Sequence, residues 1–438
     1  MLRKPLWVWM PGQAAPTMAG TLTHTPSGYS LAYERDFIES GISIDPVAMR
    51  LGPRPISAPH LPGVIADAKP SGYGQDRINA KHGRDLSDME LLEAGAGDGV
   101  GAIAVCEDIG RKQNGTTPNL HDLVAAVARL DEHAPASRAI RSVNADLETS
   151  AGGERPKITV NHEGRLWLAK MQDRGDRPGM PALEFVAMSL ASECGITTPA
   201  VDLHTIGSHQ VFMVDRFDRE DDPARPCRRL FASAHTVLRL APASVRGDPR
   251  RSYLDFAHEA HRWSNITHGP TGDRFELFKR MAFNALVGNV DDHPRNHGLL
   301  MVDGSWRLSP AFDITPIQLV PPPGQDPWPV LSMAVALNGS TVASPENLLS
   351  AALTFGIDAQ AAGEYLRRTS AHVANSWEQR LRQALPPVSP PADVERIVAS
   401  ARGAFAMSEF IVQHPATLDA SIDAAAQAAR APRRRRHF

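Results

Sequence analysis

The hydrophobic pattern changes once along this chain, and that change limits the architectures open to it. Up to about residue 220 apolar residues come in short runs cut by Pro and Gly, the texture of antiparallel strands. Leu6–Met10, Ala19–Thr23 and Tyr29–Tyr33 read as strands, and Pro11-Gly12 closes the first. Ile158–Val160 and Leu166–Lys170 flank a turn at Asn161–Gly164 and read as a hairpin. Val211–Arg216 is a further strand. Helical spacing in this part is confined to Asp85–Ala94, Leu120–Leu130 and Leu183–Cys194, the last stopped by Gly195. Beyond residue 220 helical periodicity takes over, in Phe275–Val287 and from Pro345 to Arg430, with a break at Pro386–Pro391. One hairpin, Leu299–Val302 and Trp306–Leu308 about Asp303-Gly304, interrupts it. Strands followed by helices predict an α+β fold of two lobes.

Composition narrows the function classes. At roughly 100–200 residues per domain, 438 residues allow two to four units with ample core. A net charge of −3 gives no global reason to expect nucleic acid or an anionic membrane as the main partner. Cys106, Cys194 and Cys227 are too few and too scattered for a disulfide framework or a zinc site, which fits a reducing compartment. No apolar run approaches the ~18–20 residues of a membrane span. Leu6–Met10 is shorter than a secretory h-region of ~7–15 residues. The expectation is a cytoplasmic protein.

The most informative stretch is Asn289-Val290-Asp291-Asp292-His293-Pro294-Arg295-Asn296, which follows a helix. The 299–308 hairpin comes next, then Leu308-Ser309-Pro310-Ala311-Phe312-Asp313. Phosphoryl transfer from ATP needs such a set. One carboxylate handles the proton of the attacking hydroxyl, and an amide oxygen with a second carboxylate holds Mg²⁺ against the phosphates. The Asp-to-Asn spacing of the protein-kinase catalytic loop is the same, and its metal-binding Asp also follows a hairpin. Upstream, Ser150–Lys157 is a small-residue turn whose Gly152 and Gly153 permit close approach to phosphate. Lys170 lies on the apolar face of its strand and needs a partner; Glu184 at the start of the next helix is the first choice and Glu193 the second. Each element has an ordinary alternative: a turn, a snorkelling lysine, a helix-start acid, a polar loop. Their order is that of a two-lobed kinase. A transition-metal hydrolase built on Asp291, Asp292, His293 and His297 is a competing reading, although Pro294 breaks the helical two-His geometry.

With these residues in place the sequence resembles the HipA-like serine/threonine kinases, toxins of bacterial toxin–antitoxin pairs. The likeness covers roughly 6–105 and 148–380. It is carried by Trp7–Leu22, Asp67–Gly74, Ser150–Lys157, Glu184 with Leu190-Ala191 and Gly195-Ile196, Val214–Arg219, Asp291–Asn296 and Leu308–Pro316. The resemblance implies a strand-rich amino-terminal lobe with an extra amino-terminal subdomain and an all-helical carboxy-terminal lobe. It implies that Asp291 is the catalytic acid/base, that Asn296 and Asp313 hold Mg²⁺, and that Lys170 contacts the ATP phosphates. Gly152, Gly153, Glu154, Arg155, Pro156 and Lys157 would form the phosphate loop. Asp215, Arg216 and Phe217 would be the adenine-contacting hinge, His293 would line the nucleotide site, and Ser150 would be the autophosphorylated serine. Family substrates include translation proteins such as a glutamyl-tRNA synthetase, and the usual partner is a small helix-turn-helix antitoxin on operator DNA. The sequence departs from the family in Glu154-Arg155-Pro156, in Asp292 as a second carboxylate able to repel an acidic substrate or bind metal, and in Arg433–Arg436.

The expected division is a subdomain at 1–110, the rest of the amino-terminal lobe at 111–220, a helical lobe at 221–420 and a disordered, Arg-rich tail at 421–438. Two further functions stay open. One is a DNA-bound co-repressor acting through an antitoxin, with Arg433–Arg436 contributing. The other is a phosphoinositide-like lipid kinase, whose loop shares the Asp, His, Asn order.

Overall fold

In a computed structural model the described residues are 1–113, 117–130, 135, 138–143, 155–173, 175–220, 227–264, 271–322 and 324–430. They form three antiparallel sheets with helices around them. The first sheet contains β1 (Leu2–Trp9), β2 (Pro16–Thr25), β3 (Gly28–Tyr33), β4 (Ile56–Ala58) and β5 (Ile103–Val105), in the order β4-β3-β2-β1-β5. The second contains β6 (Lys157–His162), β7 (Arg165–Met171), β8 (Val201–Ile206) and β9 (His209–Asp215), in the order β6-β7-β9-β8. The third, β10 (Phe231–Ser233), β11 (Gly298–Val302) and β12 (Ser305–Leu308), lies within the helical part. The carboxy-terminal region is thus helical except for this sheet, two strands of which are the expected hairpin. β4, β5, β8 and β10 are short or edge strands with weak alternation, and the sequence did not mark them.

The core of residues 1–110 merges with that of the helical lobe beyond residue 220, here the lower lobe: Leu6, Trp9, Val64 and Ile65 belong to the same buried cluster as Leu238, Phe256, Phe278, Leu299 and Tyr365. The junction is polar as well as apolar. Asp67, ending the helix Gly63–Asp67, accepts from Ser233 N (2.8 Å), Ser233 Oγ (2.7 Å) and Thr236 Oγ1 (2.8 Å). The β6–β9 sheet has a separate core with the helix Leu120–Val127. The helix Met180–Glu193 packs on β9 and on the long helices Ala359–Ala384 and Pro391–Gln413.

At the far end the tail is shorter than expected. Pro415–Arg430 is a helix whose Leu418 and Ile422 are buried, and Ile422 rests where a Cβ on Gly363 would stand only 2.2 Å away. Residues 421–430 therefore belong to the folded body, whereas Arg433–Arg436 lie outside the described residues. No helix among the described residues is long and apolar enough to cross a membrane.

Candidate active site

The β6–β7 hairpin and the helix Met180–Glu193 bring the expected lysine and glutamate together. Lys157 and Lys170 are cross-strand partners, so both side chains stand on one face of the sheet. That face is apolar, and Lys170 Nζ lies 5.8 Å from the ring centre of Phe212 on the neighbouring strand. A buried ammonium there needs carboxylates. Lys170 has two: Glu184 Oε1 at 3.0 Å and Asp313 Oδ1. Glu184 is fixed in turn by Thr315 Oγ1, 2.9 Å away, which has no motif signal of its own.

Burial alone would lower the Lys170 ammonium pKa, but Asp313 and Glu184 outweigh it and the pKa is raised. For Asp313, burial would raise the carboxyl, yet Lys170 and Lys157 hold it well below the usual range. Lys157 is lowered by burial, only partly offset by Asp313. Asp313 also sits at φ +59°, a region that β-carbons disfavour and that Asp tolerates better than most residues. The backbone turns there to aim the carboxylate at the two lysines.

The 289–297 loop leaves the helix Thr271–Leu286 at Gly288, whose φ is +57°. A Cβ at Gly288 would come within 2.6 Å of Ala404 O, so glycine lets this corner approach the helix Pro391–Gln413. Gly288 O accepts from Ile317 and Gln318 N, tying the start of the loop to the chain that follows Asp313. Pro294–Asn296 forms a 3₁₀ turn. Asn296 Nδ2 donates to Asp291 O at 3.0 Å, so the amide nitrogen is engaged and the amide oxygen is the atom left for a cation. Asp291 itself is exposed. His293 Nδ1 is buried without a hydrogen-bond partner.

Asp292 does something else than expected. It is fully buried and faces away from solvent, so it neither repels a substrate nor binds metal at the surface. Oδ1 accepts from Ser332 N (2.6 Å) and Oδ2 from Tyr253 OH (2.7 Å). Tyr253 OH also accepts from Asn284 Nδ2 (2.9 Å) and lies 3.1 Å from His297 Nε2. Burial pushes the Asp292 carboxyl up to about 7 despite these donors and pushes His297 down to about 3. Among the described residues no group of three or more His, Cys, Asp or Glu converges as a metal site, and Asp292 and His297 are spent on Tyr253.

The hinge residues divide. Asp215 ends β9, and its carboxylate pairs with Arg165. Arg216 is spent on Asp218, Thr159 Oγ1, Asp98 O and Gly99 O. Phe217 stays near the site, 5.4 Å from Phe312 and 6.3 Å from Phe231 between ring centres. Arg155 pairs with Asp176 at 3.3 Å. Ser150, Gly152, Gly153 and Glu154 lie outside the described residues.

Comparison with known proteins agrees with this geometry. Residues 149–377 match the model of the HipA-like C-terminal domain, and residues 6–106 that of the HipA N-terminal domain. The candidate kinase Y4mE of Sinorhizobium fredii is 24% identical over 246 residues, 52% of this chain and 57% of that protein. The serine/threonine-protein kinase toxin HipA of Shewanella oneidensis is 24% identical over 149 residues, 31% of this chain and 34% of that one. The matched segments thus span from about a third to just over half of these relatives. In three dimensions the likeness is more extensive. A chain from the Shewanella oneidensis complex of HipA, HipB and operator DNA superposes with a TM-score of 0.67 at 18% identity, covering 96% of this chain and 99% of that one. With both domain models matched in order, and the carboxy-terminal one alone spanning more than half of its length, the chain belongs to the HipA family.

Proposed function

We propose that this chain is an ATP- and Mg²⁺-dependent serine/threonine protein kinase of the HipA toxin type. The observation that carries the reading is Lys170 held between Glu184 and Asp313, while Asn296 cross-ties the loop that exposes Asp291. Lys170 neutralises the phosphates of ATP, with Lys157 adding charge beside it. Asp291 orients the acceptor hydroxyl and takes its proton as the oxygen bonds to the γ-phosphorus and the bond to ADP breaks. The donor set suits Mg²⁺: Asn296 and Asp313 offer two oxygens, few enough for an ion that keeps waters and phosphate oxygens, and it would neutralise charge on the transferring group. His293, with its orphaned Nδ1, supplies a polar atom for the nucleotide. The Asp215–Phe217 backbone and the Phe217 ring border the adenine, and residues 150–157 close over the phosphates.

The acceptor is a hydroxyl on a cytoplasmic protein, with a translation factor such as an aminoacyl-tRNA synthetase as the family example, and Ser150 is the autophosphorylation site. A helix-turn-helix antitoxin is the proposed partner, through which the chain reaches DNA; the superposition on a HipA–HipB–DNA complex supports this part. Purified protein incubated with labelled ATP and Mg²⁺ should label itself and a protein acceptor. Asp291→Ala should cut the rate at least ~10²–10⁴-fold through lost proton handling and positioning. Equal labelling by wild type and variant would sink the assignment.

A further inference from the structure

A band of arginines borders the catalytic loop. The 239–251 segment carries Arg239, Arg246, Arg250 and Arg251, and Arg295 projects from the loop itself. Two of the five are paired: Arg239 with Glu259 (3.3 Å) and Arg250 with Asp248 (3.0 Å). Among the described residues Arg246, Arg251 and Arg295 have no ion pair. Arg246 Nη2 donates to Val290 O (2.8 Å) and Val330 O (3.0 Å), which places its charge one residue from Asp291. Arg295 Nη2 lies 3.4 Å from His235 Nε2 and Arg251 Nε is buried without a partner.

These cations feel one another. After burial, Arg295 and Arg246 are among the groups that lower the Arg251 guanidinium, and after burial Arg295 is the main group that pushes His235 down, to about 4. The nearby buried carboxylate, Asp292, is already engaged by Ser332 and Tyr253. Two further carboxylates act on the group, Asp248 on Arg251 and Asp67 on Arg295, but Asp248 is held by Arg250 and Ser244 and Asp67 by Ser233 and Thr236. The like charge is therefore offset only in part, and an anionic ligand offsets more of it. Arg246 and Arg295 are exposed beside the group that would meet the acceptor hydroxyl.

We propose that Arg246, Arg251 and Arg295 form a recognition rim for carboxylate side chains flanking the acceptor hydroxyl, so that the phosphorylated protein is acidic around its serine or threonine. This rests on the kinase reading, which it deepens by naming the substrate class. A charged rim of this kind acts on encounter and binding, not on the chemical step.

The test measures binding and transfer separately. Two fluorescein-labelled peptides carry one serine, flanked by glutamates in one and by lysines in the other. By anisotropy the glutamate peptide should bind the full-length chain at least ~10-fold more tightly, with the advantage shrinking as salt rises. The double variant Arg251→Glu/Arg295→Glu should erase the preference, and Arg251→Lys/Arg295→Lys, which keeps the charge, should retain most of it. In transfer assays charge reversal should raise KM for the glutamate peptide by a larger factor than it lowers kcat. Equal affinities, or a preference that survives reversal in a variant of unchanged Tm, would overturn the proposal. So would reversal that abolishes binding of a labelled single-stranded oligonucleotide while peptide selection persists, since the rim would then serve nucleic acid. Tight glutamate-peptide binding without any ATP-dependent labelling would refute the kinase reading and leave the rim standing.

Discussion

Two buried charge clusters border the β6–β9 sheet, and they are built differently. In the cleft, Lys157 and Lys170 face Glu184 and Asp313, and Asp313 is about one-third exposed. In the seam below the hinge, Asp218 lies between Arg216 (2.8 Å) and Arg219 (2.9 Å), with all three side chains under a tenth exposed. The seam is closed on every side. Arg219 donates to Gly99 O and Gly101 O, Arg216 to Asp98 O and Gly99 O, and Asp218 accepts from Gly101 N. Arg228 adds a bond to Gly97 O and stacks on Trp9 at 3.7 Å. Each arginine fork there meets a fixed carbonyl, so the cluster welds the 97–101 segment of the amino-terminal subdomain to the hinge. The cleft cluster is left open at Asp313, held by backbone strain and lysine charge. One cluster is closed around its own charges, and the other is open to solvent at Asp313.

The largest expected effect separates the two. Lys170→Met should reduce phosphate transfer by ~10²–10⁴-fold, because the charge that meets the phosphates is gone. Stability should fall too, because Glu184 is left buried with Thr315 as its donor, but less than in the seam, since Lys157 still acts on both carboxylates and Asp313 reaches water. Single-turnover labelling and a thermal melt on the same preparation check both halves. A variant that loses its fold before its activity would erase the distinction.

The seam should show the reverse balance. Asp218→Ala leaves Arg216 and Arg219 buried beside each other without the carboxylate they pair with, Asp98 remaining as a charge nearby, and breaking a buried pair typically costs ~3–5 kcal/mol. Denaturant unfolding should show the loss. The pH dependence has a defined sign. Burial would raise the Asp218 carboxyl, but Arg216 and Arg219 hold it well below the usual range. Its stabilisation is therefore present above the unfolded value of about 3.9 and is lost as pH falls toward the depressed folded value. Asp218→Ala should remove that part of the acid sensitivity.

These clusters also show what the chain reveals in one dimension. Lys170, Glu184, Asp291, Asn296 and Asp313 stand out as candidates because each occupies a characteristic place in a local element: strand end, helix start, loop, post-hairpin turn. The seam does not. Arg216 looked like a hinge residue because its neighbours in sequence are hinge residues, while its carbonyl partners at 98 and 99 lie more than a hundred positions away. Asp292 was misread for the same reason: Tyr253 and Ser332, which bury it, are about forty positions distant on either side. Local periodicity announces elements, and loop chemistry announces spacing. Which polar side chain of a motif faces inward depends on partners that no window contains.

Asp292 gives a third, smaller test, because it lies behind the open site yet is closed like the seam. Burial raises its carboxyl to about 7 against about 3.9 in the unfolded chain. Between those values the folded state holds a proton that the unfolded state has released, so stability should decline as pH rises from about 4 to about 7 and level off above. Asp292→Asn can still accept from Ser332 N through its amide oxygen and donate to Tyr253 OH, which can turn its proton to His297 Nε2. The variant should melt with a flatter profile across this window. An unchanged slope would place the titrating group elsewhere.

The smallest effect concerns the other weld between subdomain and lower lobe. Asp67 caps the turn at Ser233–Thr236 with three hydrogen bonds, and the helix begun there carries His235 against Arg295. Ala234 N donates to His297 O at 2.7 Å, so the same helix touches the far end of the catalytic loop. Asp67→Asn keeps the size and one acceptor oxygen but sets an amide donor against Ser233 Oγ, whose hydroxyl must turn its own proton elsewhere, a loss of ~0.5–1.5 kcal/mol. Part of that should appear in transfer, as a lower kcat with KM for ATP nearly unchanged, because the loop is displaced while the lysine cluster is not. Asp67→Asn with an unchanged kcat but a lowered Tm would make this contact a second seam only. A fall in kcat beyond what the melt accounts for would show the amino-terminal subdomain setting the position of the loop that carries Asp291.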